Sequence, residues 1–140
     1  MTIAGDILKD YRPNEREPFM NQRQQQYFRQ KLESWKSELR QEAKATLGSM
    51  ATESVGYADM ADRASSEADR AIELRARDRQ RKLISKIDAA LRRLDKGEYG
   101  YCEETGEPIG IRRLDARPIA TLSIEAQEQH ERRERIHRDD

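Results

Sequence analysis

One cysteine, Cys102, stands in the whole chain, which excludes an internal disulfide. Aromatic residues make up only 6% and the hydrophobic set 35%, too little for a large globular core. No apolar run approaches the ~20 residues that a membrane-spanning helix needs, so no membrane association is expected. The N-terminus shows neither an apolar stretch nor a small-residue cleavage site, so no export signal is expected and the cytoplasm is the default location. Net charge is missing as well, because 27 bases offset 27 acids. The chain as a whole is therefore no polyanion binder. With so few rings for stacking, direct sequence-specific DNA binding is not expected.

Charge itself is plentiful, at 39% of residues, and it is ordered by a helical period. Phe28, Leu32, Trp35, Leu39, Ala43, Leu47 and Met50 recur at steps of three and four. After the short acidic segment Ala58, Asp59, Met60, Ala61, Asp62 come Ala64, Ala68, Ile72, Ala76, Leu83, Ile87, Ala90 and Leu94 at similar spacing. Each series predicts one apolar stripe on a long helix. Two such helices joined by a short polar connection pack antiparallel as a hairpin. The second helix is rich in arginine, and extrapolating its stripe places Arg79 at or beside the seam, a costly position for a guanidinium without a partner.

The 140 residues divide into four parts on this reading. Residues 1–17 form an N-terminal strap. Residues 18–96 form the coiled-coil arm, opening near Pro18 and carrying its tip at 51–62, where Gly, Ser and Thr loosen the pattern. Gly97 ends the arm as a C′ residue. Residues 97–118 make a compact knot with a small hairpin and an interior of Tyr99, Tyr101, Ile109, Ile111 and Leu114. Ser123 caps a charged helix within 119–140. The fold class is mainly α: a long antiparallel coiled-coil hairpin, a small head resembling a zinc finger, and a C-terminal helix.

Asp59 and Asp62 admit three readings. Acid–base catalysis needs a pocket that splits two carboxyl pKa values, and a solvated turn between alanines supplies none, so the chain is not expected to be an enzyme. Magnesium chelation inside a partner's active site is a second reading. N-capping of the second helix is the third, and local sequence alone favours it. Arg79 and Lys86, seven residues apart, share a helix face and suit a phosphate-bearing ligand.

The run Gly100-Tyr101-Cys102-Glu103-Glu104-Thr105-Gly106-Glu107-Pro108-Ile109-Gly110-Ile111-Arg112-Arg113-Leu114-Asp115-Ala116-Arg117-Pro118 resembles the DksA/TraR family of bacterial transcription factors. The likeness extends upstream through Glu73 to Arg79, Lys82-Leu83-Ile84 and the two aspartates, and covers about residues 20 to 126. The resemblance implies a factor that binds RNA polymerase, inserts its arm into the secondary channel, and alters promoter-complex stability together with guanosine tetraphosphate (ppGpp). It makes Asp59 and Asp62 the functional tip, with Ala64 beside them. It assigns Arg79, Leu83 and Lys86 to the nucleotide response, with Gln127 where the family has a lysine, and Arg113 to a polymerase contact. The alternatives are a transcript-cleavage cofactor of the Gre type, or a coiled-coil adaptor unrelated to transcription. A monomer is expected.

In one respect the sequence departs from that family. Its zinc heads carry two C-x2-C pairs, whereas Cys102 here is accompanied by Thr105, Ser123 and Ala126 at the matching positions. A structural zinc needs four thiolate or imidazole ligands. No zinc is therefore expected, Cys102 reads as a small buried hydrophobe, and ppGpp is the one small molecule implied as a co-regulator.

Overall fold

Asn21 starts the first long helix. Its side-chain Oδ1 accepts the Gln24 N–H at 2.9 Å, and Met20 before it has φ 54°, which no helix continues through. In the computed structural model, which describes residues 10–53 and 60–139 and side chains for 10–45 and 65–137, this helix is α1 (Gln22–Glu53). Pro18 thus lies one turn before the helix rather than at its first position. The second helix, α2 (Met60–Lys96), ends in a Schellman motif. Gly97 has φ 74°, its N–H reaches Leu94 O at 3.2 Å, and the Glu98 N–H reaches Arg93 O at 2.9 Å. Two shorter helices follow, α3 (Ile111–Ala116) and α4 (Ile124–Asp139).

The chain separates into two compact units. One runs from Glu33 to Asp88, and in it α1 and α2 lie antiparallel: Lys36 pairs with Asp88 at 2.6 Å, and Gln80 donates to Glu42 at 3.1 Å. Leu39 and Ile87 are its buried aliphatics. The other unit takes in the residues up to Leu32 and from Ala89 onward. Its core is Phe28, Leu32, Leu94, Tyr99, Ile111 and Leu114, with Ile119, Ala120 and Ala126 closing over them.

Two expectations about packing fail, for physical reasons. On α2 the inward positions repeat every seven residues, at Ser66, Glu73, Gln80 and Ile87, all shielded from solvent at least in part. Seven is the period of a supercoiled pair, and a stripe traced at 3.6 residues per turn drifts off that seam within a few turns. Ala68, Ile72 and Ala76 therefore face solvent, Ile72 being 61% exposed, and Arg79 lies outside the seam. In the knot, Tyr101 is 38% exposed rather than interior, its ring stacked edge-on against Phe19 at 5.5 Å. The expected hairpin is reduced to a single bridge, Tyr101 to Pro108. No strand occurs among the described residues.

Candidate functional site

With the heptad seam turned toward α1, α2 presents a different strip outward. Arg79 and Lys86 are both exposed, with half-buried Leu83 between them. Neither cation has an ion-pair partner among the described residues, whereas neighbouring Lys82 is neutralised by Asp78 at 3.2 Å, one turn away. The strip continues through exposed Ala76 to exposed Ile72. Two unneutralised cations around an aliphatic side chain, extended by an exposed isoleucine, make a surface with both charge and apolar area to offer. Sequence reasoning placed Arg79 and Lys86 on one face and Leu83 in the packed stripe. It missed Ile72 as a surface residue, because a 3.6-residue stripe claims it for the core.

Asp59 lies outside the described residues. Asp62 and Ala64 fall in the first turns of α2, and their side chains lie outside the described set.

In the head unit, Arg113 donates from Nε to Leu122 O at 2.9 Å, tying α3 to the segment before α4. Gln127 is half-buried and donates to Glu131 at 3.2 Å along α4. Cys102 is only 2% exposed. Burial pushes its thiol pKa up, but the Thr105 hydroxyl and the backbone N–H groups of Ser123, Thr105 and Glu104 outweigh this and bring it down to about 6. Sequence reasoning read Cys102 as a small buried hydrophobe, and its side chain is buried.

Two clusters gave no signal in the sequence: one joins residues far apart in the chain, and the other lies in and beside the irregular segment before α1, where no period applies. Asp115 Oδ1 accepts the Tyr27 hydroxyl at 2.6 Å and Lys31 Nζ at 2.7 Å, and Lys31 also reaches the Asp115 carbonyl at 2.7 Å. Desolvation raises the Asp115 carboxyl pKa, but the bonds from Lys31 and Tyr27 and the charges of Lys31 and Arg12 hold it below the ordinary value. Tyr27 is pushed up to about 12, by burial first and by Asp115 second. In the strap, Gln24 is fully buried; its Oε1 accepts the Met20 N–H at 2.7 Å and its Nε2 donates to Asn14 O at 3.3 Å. Tyr11 donates to Glu17 there, and Arg23 stands 4.5 Å over the Tyr11 ring. Gln24 holds the strap against the start of α1.

An antiparallel helix pair with a heptad seam, followed by a knuckled head and a charged helix, defines a coiled-coil factor of the finger-headed class. Residues 24–94 match the family described as DnaK suppressor protein DksA, N-terminal domain, and residues 97–132 match the prokaryotic dksA/traR C4-type zinc finger. The chain belongs to the DksA family. It is 68% identical over 131 residues to the RNA polymerase-binding transcription factor DksA of Caulobacter vibrioides, covering 94% of this chain and 92% of that one. To the RNA polymerase-binding transcription factor DksA of Escherichia coli K12 it is 42% identical over 135 residues, with 96% of this chain and 88% of that one covered. Among solved structures, transcription factor DksA2 from Pseudomonas aeruginosa superposes with a TM-score of 0.80 at 44% identity, covering 93% of this chain and 97% of that one. The finger family is of C4 type, and the donor set here, one thiol, two hydroxyls and a methyl, does not fit it. No described helix is long and apolar enough to cross a membrane.

Proposed function

We propose that this chain is a regulator of bacterial RNA polymerase that docks through the outer strip of α2 and acts through the α1–α2 connection. The carrying observation is that strip, where Arg79 and Lys86 are exposed with no acidic partner among the described residues and Ile72 stands in solvent. Exposed aliphatics beside unneutralised cations cost the free chain solubility and gain it nothing, unless a partner covers them. Relatives at 42% to 68% identity are named RNA polymerase-binding transcription factors, which supplies the partner. On this reading the connection enters the secondary channel, and Asp59 and Asp62, with Ala64 beside them, bring their charge near the active centre and alter promoter-complex stability. A polymerase partner also places the chain in the cytoplasm.

Guanosine tetraphosphate enters as a shared ligand. A cationic pair in water is screened within about 8 Å at physiological ionic strength, so the strip alone holds a phosphate weakly. A second wall, from the polymerase, completes the site around Arg79, Leu83 and Lys86. Gln127 brings no charge where the family has a lysine, and Arg113, whose Nε donates to Leu122 O at 2.9 Å, is on this reading a polymerase contact. The test is in vitro transcription from a ribosomal-RNA promoter with and without the nucleotide. Arg79→Ala with Lys86→Ala is expected to abolish the nucleotide's added effect and leave basal activity at high protein concentration. An unchanged nucleotide response would reduce the strip to a solvated face. A backtracked-complex cleavage assay, expected to show no stimulation, separates regulation from transcript cleavage.

A further inference from the structure

We infer that the head closes by hydrogen bonding across Cys102, in the place where a C4-type finger holds its metal, and takes up no structural zinc. The loop 102–105, and the cap and first turn of α4, 123–126, would each give a metal two ligands, and here the chain ties that loop to the segment leading into α4. The Glu103 N–H reaches Thr121 O at 2.9 Å, two residues before the cap. Across the loop, Cys102 N–H bonds Glu107 O at 2.8 Å, and Gly106 N–H bonds Cys102 O at 2.8 Å.

The three positions that lack a thiol are all occupied otherwise. Thr105 Oγ1 accepts the Glu107 N–H at 3.2 Å. Ser123 Oγ accepts the Ala126 N–H at 3.2 Å as the N-cap of α4. The Ala126 methyl is packed in the core at 3% exposure, where it fills volume and offers no donor. A zinc ion would find one soft ligand and would have to break the cap of α4 to gain a poor second. No histidine or carboxylate makes up the shortfall: among the described residues no group of three His, Cys, Asp or Glu converges. The arrangement replaces metal coordination with backbone hydrogen bonds and a helix cap around a buried thiol.

The experiment measures zinc content and thermal unfolding on the full-length chain, purified from zinc-supplemented cells. Substoichiometric zinc is expected, with the same melting temperature with and without a strong chelator. One zinc per chain surviving dialysis, or a lowered melting temperature on chelation, would overturn the inference. A restoring variant, Thr105→Cys with Ser123→Cys and Ala126→Cys, is expected to gain one zinc per chain and a chelator-sensitive melt. If this variant folds and still takes no zinc, the four positions do not surround one point and the inference fails. If it does not fold, metal content and the chelator melt of the unaltered chain decide alone.

Discussion

Ile72 and Ile87 are the same side chain on the same helix, and a stripe traced at helical period assigns both to the core. The structure separates them: Ile87 is fully buried, and Ile72 is 61% exposed. Truncating a fully buried isoleucine to alanine loses its transfer energy and leaves a cavity, about 2–5 kcal/mol in well-packed cores. A helix pair relaxes more easily than a globular core, so about 3 kcal/mol is expected for Ile87→Ala. Ile72→Ala gives up only a minor part of its burial, about 0.5 kcal/mol, and alanine's higher helix propensity offsets most of it. At about 4 °C per kcal/mol for a chain of this size, Ile87→Ala should lower the melting temperature by about 12 °C and Ile72→Ala by less than about 2 °C. Far-UV circular dichroism melts of both variants against the unaltered chain give the answer. Equal losses, or the larger loss at Ile72, would refute the seven-residue seam and with it the outward placement of Arg79.

Three further outcomes follow from the head unit. Gly100 has φ 93°, and a Cβ there would stand 3.1 Å from Phe19 Cζ and 3.2 Å from Met20 Cγ; Gly100→Ala should cost about 2 kcal/mol in urea unfolding, and a neutral result would mean that the strap is not seated on the knot. Gln24→Leu keeps the volume but orphans the Met20 N–H and the Asn14 carbonyl, so a loss of about 1–3 kcal/mol and faster proteolysis between residues 10 and 20 are expected, whereas unchanged cleavage would deny Gln24 its clamping role. Asp115 titrates lower folded than unfolded, so its stabilisation is complete above about pH 4 and is lost as pH falls through the folded value. Because Lys31 and Asp115 are 37% and 44% exposed, its worth is discounted to about 1 kcal/mol. Asp115→Asn should lower the melting temperature at pH 7 and flatten its fall below pH 4, and parallel pH profiles for the two proteins would contradict this.

The two long helices and α4 were legible because apolar spacing, the Gly97 stop and the Ser123 cap are local signals, and local chemistry enforces each. The seam of α2 was not legible, since Glu73 and Gln80 occupy it and no pattern of apolar residues marks a polar position as facing inward. Its register is set by the partner helix through contacts such as Gln80 to Glu42. Asp115 was missed because its partners, Tyr27 and Lys31, lie far away in the chain. Gln24 was missed because its partners, Met20 and Asn14, lie in the irregular segment before α1, where no period applies. Arg79 and Lys86 share a face because the helix alone fixes them relative to one another. Cys102 was read for what it lacks, three partner thiols, and the backbone bonds that close the loop around it, Cys102 N–H to Glu107 O and Glu103 N–H to Thr121 O, could be found only in three dimensions.

The half-life of RNA polymerase complexes at a ribosomal-RNA promoter, measured after adding saturating protein, tests the central claim most directly. The unaltered chain should change that half-life, while Asp59→Asn with Asp62→Asn should bind polymerase equally well and leave it unchanged. A half-life that the unaltered chain does not alter, at a concentration where binding is complete, would contradict the account.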